Sequence, residues 1–326
     1  MASHARVNGG RRRGRGLAGA LAVFAIALFA GASLAFLLAT GVLGRGDRDQ
    51  GQAEQEAVQQ QEPAVQEQVA AEPAVQDPAA SEPQPDLQPA YDPTTDPRNA
   101  EFAVDPNRTD WNFTAPETRT VYLTFDDGPS ENTQAVLDIL DQYGIKATFF
   151  VTNINPGYES MIRECYRRGH TIGMHTYSHD YAQVYASVDA YWQDLTAISD
   201  IVREQIGYVP CFIRFPGGSS NTVSANYTTG IMSQLSQDVV AAGYQYYDWD
   251  ASCGDGAEHT ADELVEATMI DTSYGYQSIV FLMHDGAGKQ TTVEALPRII
   301  EYFQSEGYAF APLDRSTCVP HHGIGN

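Results

Sequence analysis

The chain has 326 residues, enough for one large domain with additional segments. Its 42 acidic residues outweigh 19 lysines and arginines, giving a formal net charge of -23, which argues against nucleic acid as a partner. The basic residues Arg6, Arg11, Arg12, Arg13 and Arg15 crowd the start instead.

Residues 1–15 read as a basic cytoplasmic N-terminus. No charged residue occurs between Arg15 and Arg45, and about 20 apolar residues suffice to cross a bilayer as a helix. Residues 16–44 are therefore expected to be an uncleaved transmembrane anchor. The positive-inside rule then puts the remainder outside, as a single-pass protein of the cell membrane with the membrane as a partner. The alternative is a long signal peptide cut near "ASLA". Residues 45–115 are acidic and rich in Gln, Pro and Ala, with "EPAVQ" at 62–66 and again at 72–76. Such a segment buries too little apolar surface to fold and is expected to be a disordered, extended linker.

From residue 116 to 326 the pattern is globular. Strands are expected at 120–125, 146–152, 170–175, 211–215, 244–249, 278–284 and 308–313. Helices are expected at 132–144, 158–168, 187–206, 228–242, 260–272 and 292–305. The second of these sets begins with an amphipathic stretch that places Val136, Ile139, Leu140 and Tyr143 on one face and stops at Gly144. Strands alternating with helices imply parallel pairing with crossover helices. Seven of them predict an α/β fold, a distorted (β/α)7 barrel, with an open doubly wound sheet as the alternative. In such barrels the active site lies at the C-terminal ends of the strands.

The unusual polar residues fall there. Asp126 and Asp127 follow the first strand, His175 ends the third and Arg214 the fourth. Asp250 and Asp255 follow the fifth, and His284 and Asp285 end the sixth. Within "HTYSH", His175 and His179 are four apart, which on a helical turn would put both rings on one face. Two histidines and a carboxylate from another strand make a catalytic zinc arrangement with a fourth position left for water. Other divalent ions suit the same ligands. The adjacent Asp126 and Asp127 then make sense: one would hold the cation and the other would take a proton from water beside it. The cation relieves the repulsion between them.

Five separated segments, over residues 118–314, resemble the motifs of the NodB-type polysaccharide deacetylases, carbohydrate esterase family 4, in that family's order. "TFDDGP" (124–129) implies Asp126 as catalytic base and Asp127 as metal ligand. "HTYSH" (175–179) implies His175 and His179 as the remaining ligands. "RFPGG" (214–218) implies that Arg214 holds the base, keeping it ionised near neutrality, and that the Gly217 N–H faces an oxyanion. "DWDASCGDG" (248–256) implies Asp255 as the group that orients the acid histidine. "LMHD" (282–285) implies Leu282 in an acetyl pocket and His284 as general acid. Two positions depart from the family. Gly217 stands where a large residue, commonly Tyr, is usual, and Gly256 stands where many members have Trp. Trp249 either fills part of that gap, bordering substrate, or belongs to the core.

The resemblance implies a hydrolase that removes N-acetyl groups from an amino-sugar polymer and releases acetate, and the expected membrane anchor favours a substrate at the cell's own surface, peptidoglycan. It implies a divalent metal, Zn2+ first and Co2+ among the others, and a peptidoglycan or chitin-like chain as substrate. The rival readings are an O-acetyl esterase on an acetylated polysaccharide and a non-catalytic module binding cell-wall glycan. Cys165, Cys211, Cys253 and Cys318 allow 3 disulfide pairings, with Cys211–Cys253 and wholly free thiols both left open. His4, His170, His259, His321 and His322 lack motif context, and the last two are expected in a solvated tail. The tyrosine-rich stretch 177–191 is expected either to border a sugar groove or to pack in the core.

Overall fold

A computed structural model describes residues 92–326, apart from 109, 110 and 112. Its strands are β1 (Thr120–Asp126), β2 (Thr148–Val151), β3 (Thr171–Met174), β4 (Phe212–Ile213), β5 (Gln245–Tyr246), β6 (Ala251–Ser252), β7 (Ser278–His284) and β8 (Ala309–Phe310). The helices are α1 (Asn99–Phe102), α2 (Thr133–Gln142), α3 (Ser160–Arg167), α4 (Tyr181–Val184), α5 (Val188–Ile206), α6 (Ile231–Ala241), α7 (Ala261–Asp271) and α8 (Gln290–Ser305).

All seven residues of β1 are buried, as befits a parallel strand covered on both faces. Every strand pair is parallel, in the order β5-β4-β3-β2-β1-β7-β6. The two ends of that path, β5 and β6, are separated by only residues 247–250 along the chain. The sheet is a parallel-strand α/β half-barrel, with no ladder between β5 and β6. β7 pairs with β1 along its whole length. β2 and β8 share the opposite edge of β1, β2 at Thr124–Asp126 and β8 at Thr120–Val121.

Each expected strand is present, though β4, β5 and β8 are two residues long. β6 is an eighth strand that the alternation does not predict, formed inside "DWDASCG". Helix ends follow local chemistry. Ser187 caps α5 by accepting from the Ala190 N–H, and Gly207, at φ 84°, ends it in the left-handed region. Thr260 and Glu263 form a reciprocal capping box at α7.

Several expectations are corrected. Part of the segment expected to be a disordered linker is structured: α1 buries Phe102 beside Phe212, with ring centroids 5.7 Å apart. Around it the Val104 N–H donates to Val209 O at 2.9 Å and the Cys211 N–H to Phe102 O at 2.8 Å. All four cysteines are free, three of them buried, so Cys211–Cys253 is no bridge. No helix among the described residues is long and apolar enough to cross a membrane. That finding overturns the placement as a single-pass cell-membrane protein and gives no support to the membrane as a partner; the apolar stretch 16–44 lies outside the described residues, as does the linker up to residue 91.

Candidate active site

The C-terminal ends of β1, β3, β4, β6 and β7 converge on one cluster. Asp126 ends β1 in register with His284 on β7. Its carboxylate is buried and accepts from Arg214 Nη1 at 2.8 Å. Burial pushes the Asp126 carboxyl above its ordinary value, and the Arg214 and His284 charges only partly offset this. Arg214 favours the charged form, against a desolvation that is the larger effect.

Asp127 follows at φ 68°, a left-handed backbone that is uncommon outside glycine. Its Oδ1 is buried and has no hydrogen-bond partner. That oxygen lies 3.5 Å from His179 Nε2 and 3.7 Å from His175 Nε2. The next residue must be glycine, because a Cβ at Gly128 would lie 2.2 Å from Asp285 Oδ1. Asp285 is thus part of the cluster, although no motif role pointed to it.

His175 and His179 are not on a helix. They flank a loop after β3 in which Thr176 (φ 91°) and His179 (φ 51°) both adopt left-handed backbone. Such conformations persist at sites where surrounding contacts enforce them. Asp194 of α5 supplies those contacts: its Oδ1 accepts from the Tyr177 N–H and its Oδ2 from the Ser178 hydroxyl, both at 2.5 Å. The loop brings the two imidazoles to 5.0 Å between centroids. His175 Nδ1 lies 2.8 Å from Arg214 O and donates to it. That fixes the tautomer and leaves Nε2 with its lone pair toward Asp127. Burial, reinforced by His179, pushes the His175 pKa down to about 3, so the ring is neutral.

Arg214 is fully buried. Besides Asp126, it donates to Thr124 Oγ1 (2.9 Å), Tyr247 O (3.0 Å) and Asp248 O (3.0 Å). After it, Phe215–Gly218 forms a turn closed by the Gly218 N–H on Phe215 O at 2.8 Å. Pro216 and Gly217 (φ 74°) have the residue types of a type II turn. A Cβ on Gly217 would meet the Tyr181 hydroxyl at 2.4 Å. Tyr181, at the start of α4, therefore occupies the space left by the missing large residue, with its ring against His179 at 5.9 Å.

His284 Nδ1 donates to Asp255 Oδ1 at 2.8 Å, and the His284 N–H donates to Asp255 Oδ2 at 2.8 Å. Burial alone would lower the imidazole, but Asp255 outweighs it and raises the His284 pKa to about 9. The same pairing lowers the Asp255 carboxyl against its own desolvation. Leu282 is buried on β7, in register with Thr124. Trp249 is half-buried, not core, with its ring edge 3.1 Å from a Cβ position on Gly218 and its ring in a T-shaped contact with His322. Nothing lies within 4 Å of a Cβ on Gly256, so the absent aromatic leaves open space. Asp250 serves the sheet instead, accepting from the Val280 N–H at 2.8 Å. His321 stacks on Tyr246 at 3.9 Å and the His322 N–H binds Asp248 Oδ2, so neither belongs to a solvated tail.

The residues fit a divalent cation. One oxygen and two ring nitrogens from Asp127, His175 and His179 lie within 4.8 Å of one another, and the orphaned Asp127 Oδ1 is an acceptor that only a cation or water would satisfy. Ligand bonds of about 2.0–2.1 Å around a tetrahedral ion put donors roughly 3.3 Å apart, near the 3.5 and 3.7 Å separations here. Sequence reasoning missed Asp194; Asp285 was among the polar residues at strand ends but was given no role, and Tyr181 lay in the tyrosine-rich stretch 177–191, left open between groove and core.

Residues 114–233 match the family of polysaccharide deacetylases. The Bacillus subtilis protein YheN is 30% identical over 209 residues, 63% of this chain and 70% of its own. A peptidoglycan-N-acetylglucosamine deacetylase of Bacillus cereus is 27% identical over 223 residues, 64% of this chain and 77% of that one. The solved catalytic domain of a peptidoglycan N-acetylglucosamine deacetylase from Eubacterium rectale superposes with a TM-score of 0.64 and 43% identity, covering 68% of this chain. Because that likeness extends over 100% of the solved domain, the chain belongs to the polysaccharide deacetylase family and is a hydrolytic N-deacetylase.

Proposed function

We propose that the enzyme removes N-acetyl groups from the amino sugars of peptidoglycan, releasing acetate, and that it depends on a divalent cation, Zn2+ first and Co2+ among the alternatives. The names of the Bacillus cereus and Eubacterium rectale relatives support the polymer. The observation that carries the reading is the buried Asp126–Arg214 pair facing the His284–Asp255 pair beside the Asp127, His175 and His179 cluster.

Asp127, His175 and His179 would hold the cation. When bound, it would polarise the acetyl carbonyl and ease the ionisation of water. Asp126 takes the proton as water attacks the carbonyl carbon. Its raised proton affinity suits it to that role. Arg214 keeps the carboxylate aimed. The Gly217 N–H donates to the oxyanion, a contribution of about 3–4 kcal/mol for one such donor. His284, held protonated by Asp255, delivers a proton to the departing amine. Leu282 lines the space for the acetyl methyl, and Tyr181 and Trp249 border the sugar. The catalytic unit spans 116–326, with 92–115 packed against it.

An O-acetyl esterase is the second reading, because an alcohol needs the His284 proton less than an amine does. The test uses N-acetylglucosamine oligomers, peptidoglycan and acetylated xylan. Amine release should vanish on chelation and return with zinc or cobalt. Asp126→Asn should retain metal and lose about 100- to 10,000-fold in turnover. Asp127→Ala should lose metal and activity together. Full activity of metal-free enzyme, or metal loss confined to Asp126→Asn, would overturn the assignment. Acetate release from the xylan alone would favour the esterase.

A further inference from the structure

We infer that Asp285 is the positioning residue for Asp127: its carboxyl, laid against Gly128, locks the turn that aims Asp127 Oδ1 at His175 and His179. The inference deepens, and rests on, the cation-site reading above.

The side chain of Asp285 is 1% exposed. Its Oδ1, Oδ2 and Cγ lie 2.2, 2.4 and 2.5 Å from the position a Gly128 Cβ would take. The carboxyl therefore rests on the Gly128 α-carbon, one residue beyond Asp127. It cannot slide away, because Thr133 Oγ1 donates to Oδ2 at 2.6 Å and itself accepts from the Ser130 N–H at 2.9 Å. The flanking backbone is held as well. The Asp285 N–H donates to Asp126 O at 3.1 Å, Ser130 Oγ to Asp285 O at 2.6 Å, and Asn132 Nδ2 to Gly286 O at 2.7 Å. On the other side of the turn the Thr152 N–H donates to Gly128 O at 2.7 Å. The end of β7 and the loop after β2 thus grip the DDGPS turn between them.

The grip matters because Asp127 sits in the left-handed region, which an aspartate leaves when nothing enforces it. Asp285 fills the space on this side of the turn. Gly286 presses from the same side, with a Cβ position 2.9 Å from Asp127 Cβ. Removing the carboxyl would let Gly128 move into the vacated volume and rotate Asp127 Oδ1 away from the two rings. Glycine at 128 and aspartate at 285 are two halves of one contact.

Zinc affinity, measured by competition with a chromogenic chelator and independent of deacetylation, is the readout. Asp285→Asn keeps the shape and the acceptor for Thr133, so it should bind zinc within about threefold of the parent. Asp285→Ala should bind about 10- to 100-fold more weakly, the range usual for groups that orient a ligand. Gly128→Ala should bind tenfold more weakly or worse. In the double variant the new Cβ enters the space the carboxyl left, so its affinity should exceed that of Gly128→Ala. Should Asp285→Ala fail to fold, the Gly128→Ala and Asp285→Asn pair tests the same contact. A parent protein that binds zinc together with undiminished affinity in Asp285→Ala or Gly128→Ala would overturn the positioning role alone. A parent that binds no zinc would overturn the cation-site reading as well.

Discussion

Asp126 and His284 face each other across β1 and β7 with proton affinities raised by different causes. Burial raises Asp126. Asp255 raises His284 to about 9 against a burial effect of opposite sign. A base must be deprotonated and an acid protonated, so the working window lies above the raised carboxylate value and below about 9. Asp255→Asn removes the attraction and leaves the burial, which should drop the imidazole to its ordinary value or below. The alkaline limb of kcat/KM should then move down by two units or more, and the rate at pH 8 should fall roughly 30-fold, since each unit is a tenfold change in protonation. An alkaline limb that stays near pH 9 in this variant would show that another group is the acid. That these residues matter was legible because they lie in motifs that resemble one family's in order. The raised proton affinity of Asp126 was not, because desolvation depends on what covers a group.

The short strands are held together by a side chain as well as by their ladders. β4 and β5 have two residues each, and Arg214 joins them to β1 through bonds to Tyr247 O, Asp248 O, Thr124 Oγ1 and Asp126 Oδ1. Arg214→Leu leaves the Asp126 carboxylate buried without its partner. Breaking a buried pair from one side costs about 3–5 kcal/mol, which urea unfolding should register, alongside loss of turnover. Arg214→Lys keeps the charge but not the planar fork, and should recover part of the stability and little activity. Equal stability of both variants with the parent would refute the tie. The loop after β3 illustrates the limit of periodicity. The spacing of His175 and His179 identified two ligands but suggested a helix, whereas left-handed backbone at Thr176 and His179 builds a loop that Asp194, from α5, holds in place.

The described chain is larger than its motifs. Residues ahead of 116 supply Phe102 to the core, Trp111 beneath the Arg315 guanidinium at 3.8 Å, and the Thr114 N–H to Ser316 O at 2.8 Å. Phe102→Ala should cost about 3–5 kcal/mol, as for other buried phenylalanines, with kcat on small substrates nearly unchanged below the melting transition. A loss under about 1 kcal/mol in urea unfolding, well below that range, would show that this segment is a dispensable appendage. At the other end, residues 318–326 cross the 217–233 region, where Asn326 Oδ1 accepts from the Gly230 N–H at 2.7 Å and Asn326 O from the Ser233 N–H at 2.8 Å.

Strand–helix alternation and five ordered motifs determined the parallel-strand α/β half-barrel and the family, because hydrophobic period and turn residues act locally and the motif residues are few. Only the tertiary structure decided how Asp127 is aimed, why residue 128 is glycine and what fills the space beside Gly217. Those answers lie in contacts such as Thr133 with Asp285, 152 positions apart, and Tyr181 with Gly217. No local pattern encodes such pairs, since they arise when crossovers bring distant strand ends to one rim. The same holds for the linker boundary: polar composition read the segment ahead of 116 as spacer, and buried Phe102, the Trp111–Arg315 stack, the Arg98 and Asn99 bonds to Tyr166 and a few backbone bonds tie it to the domain.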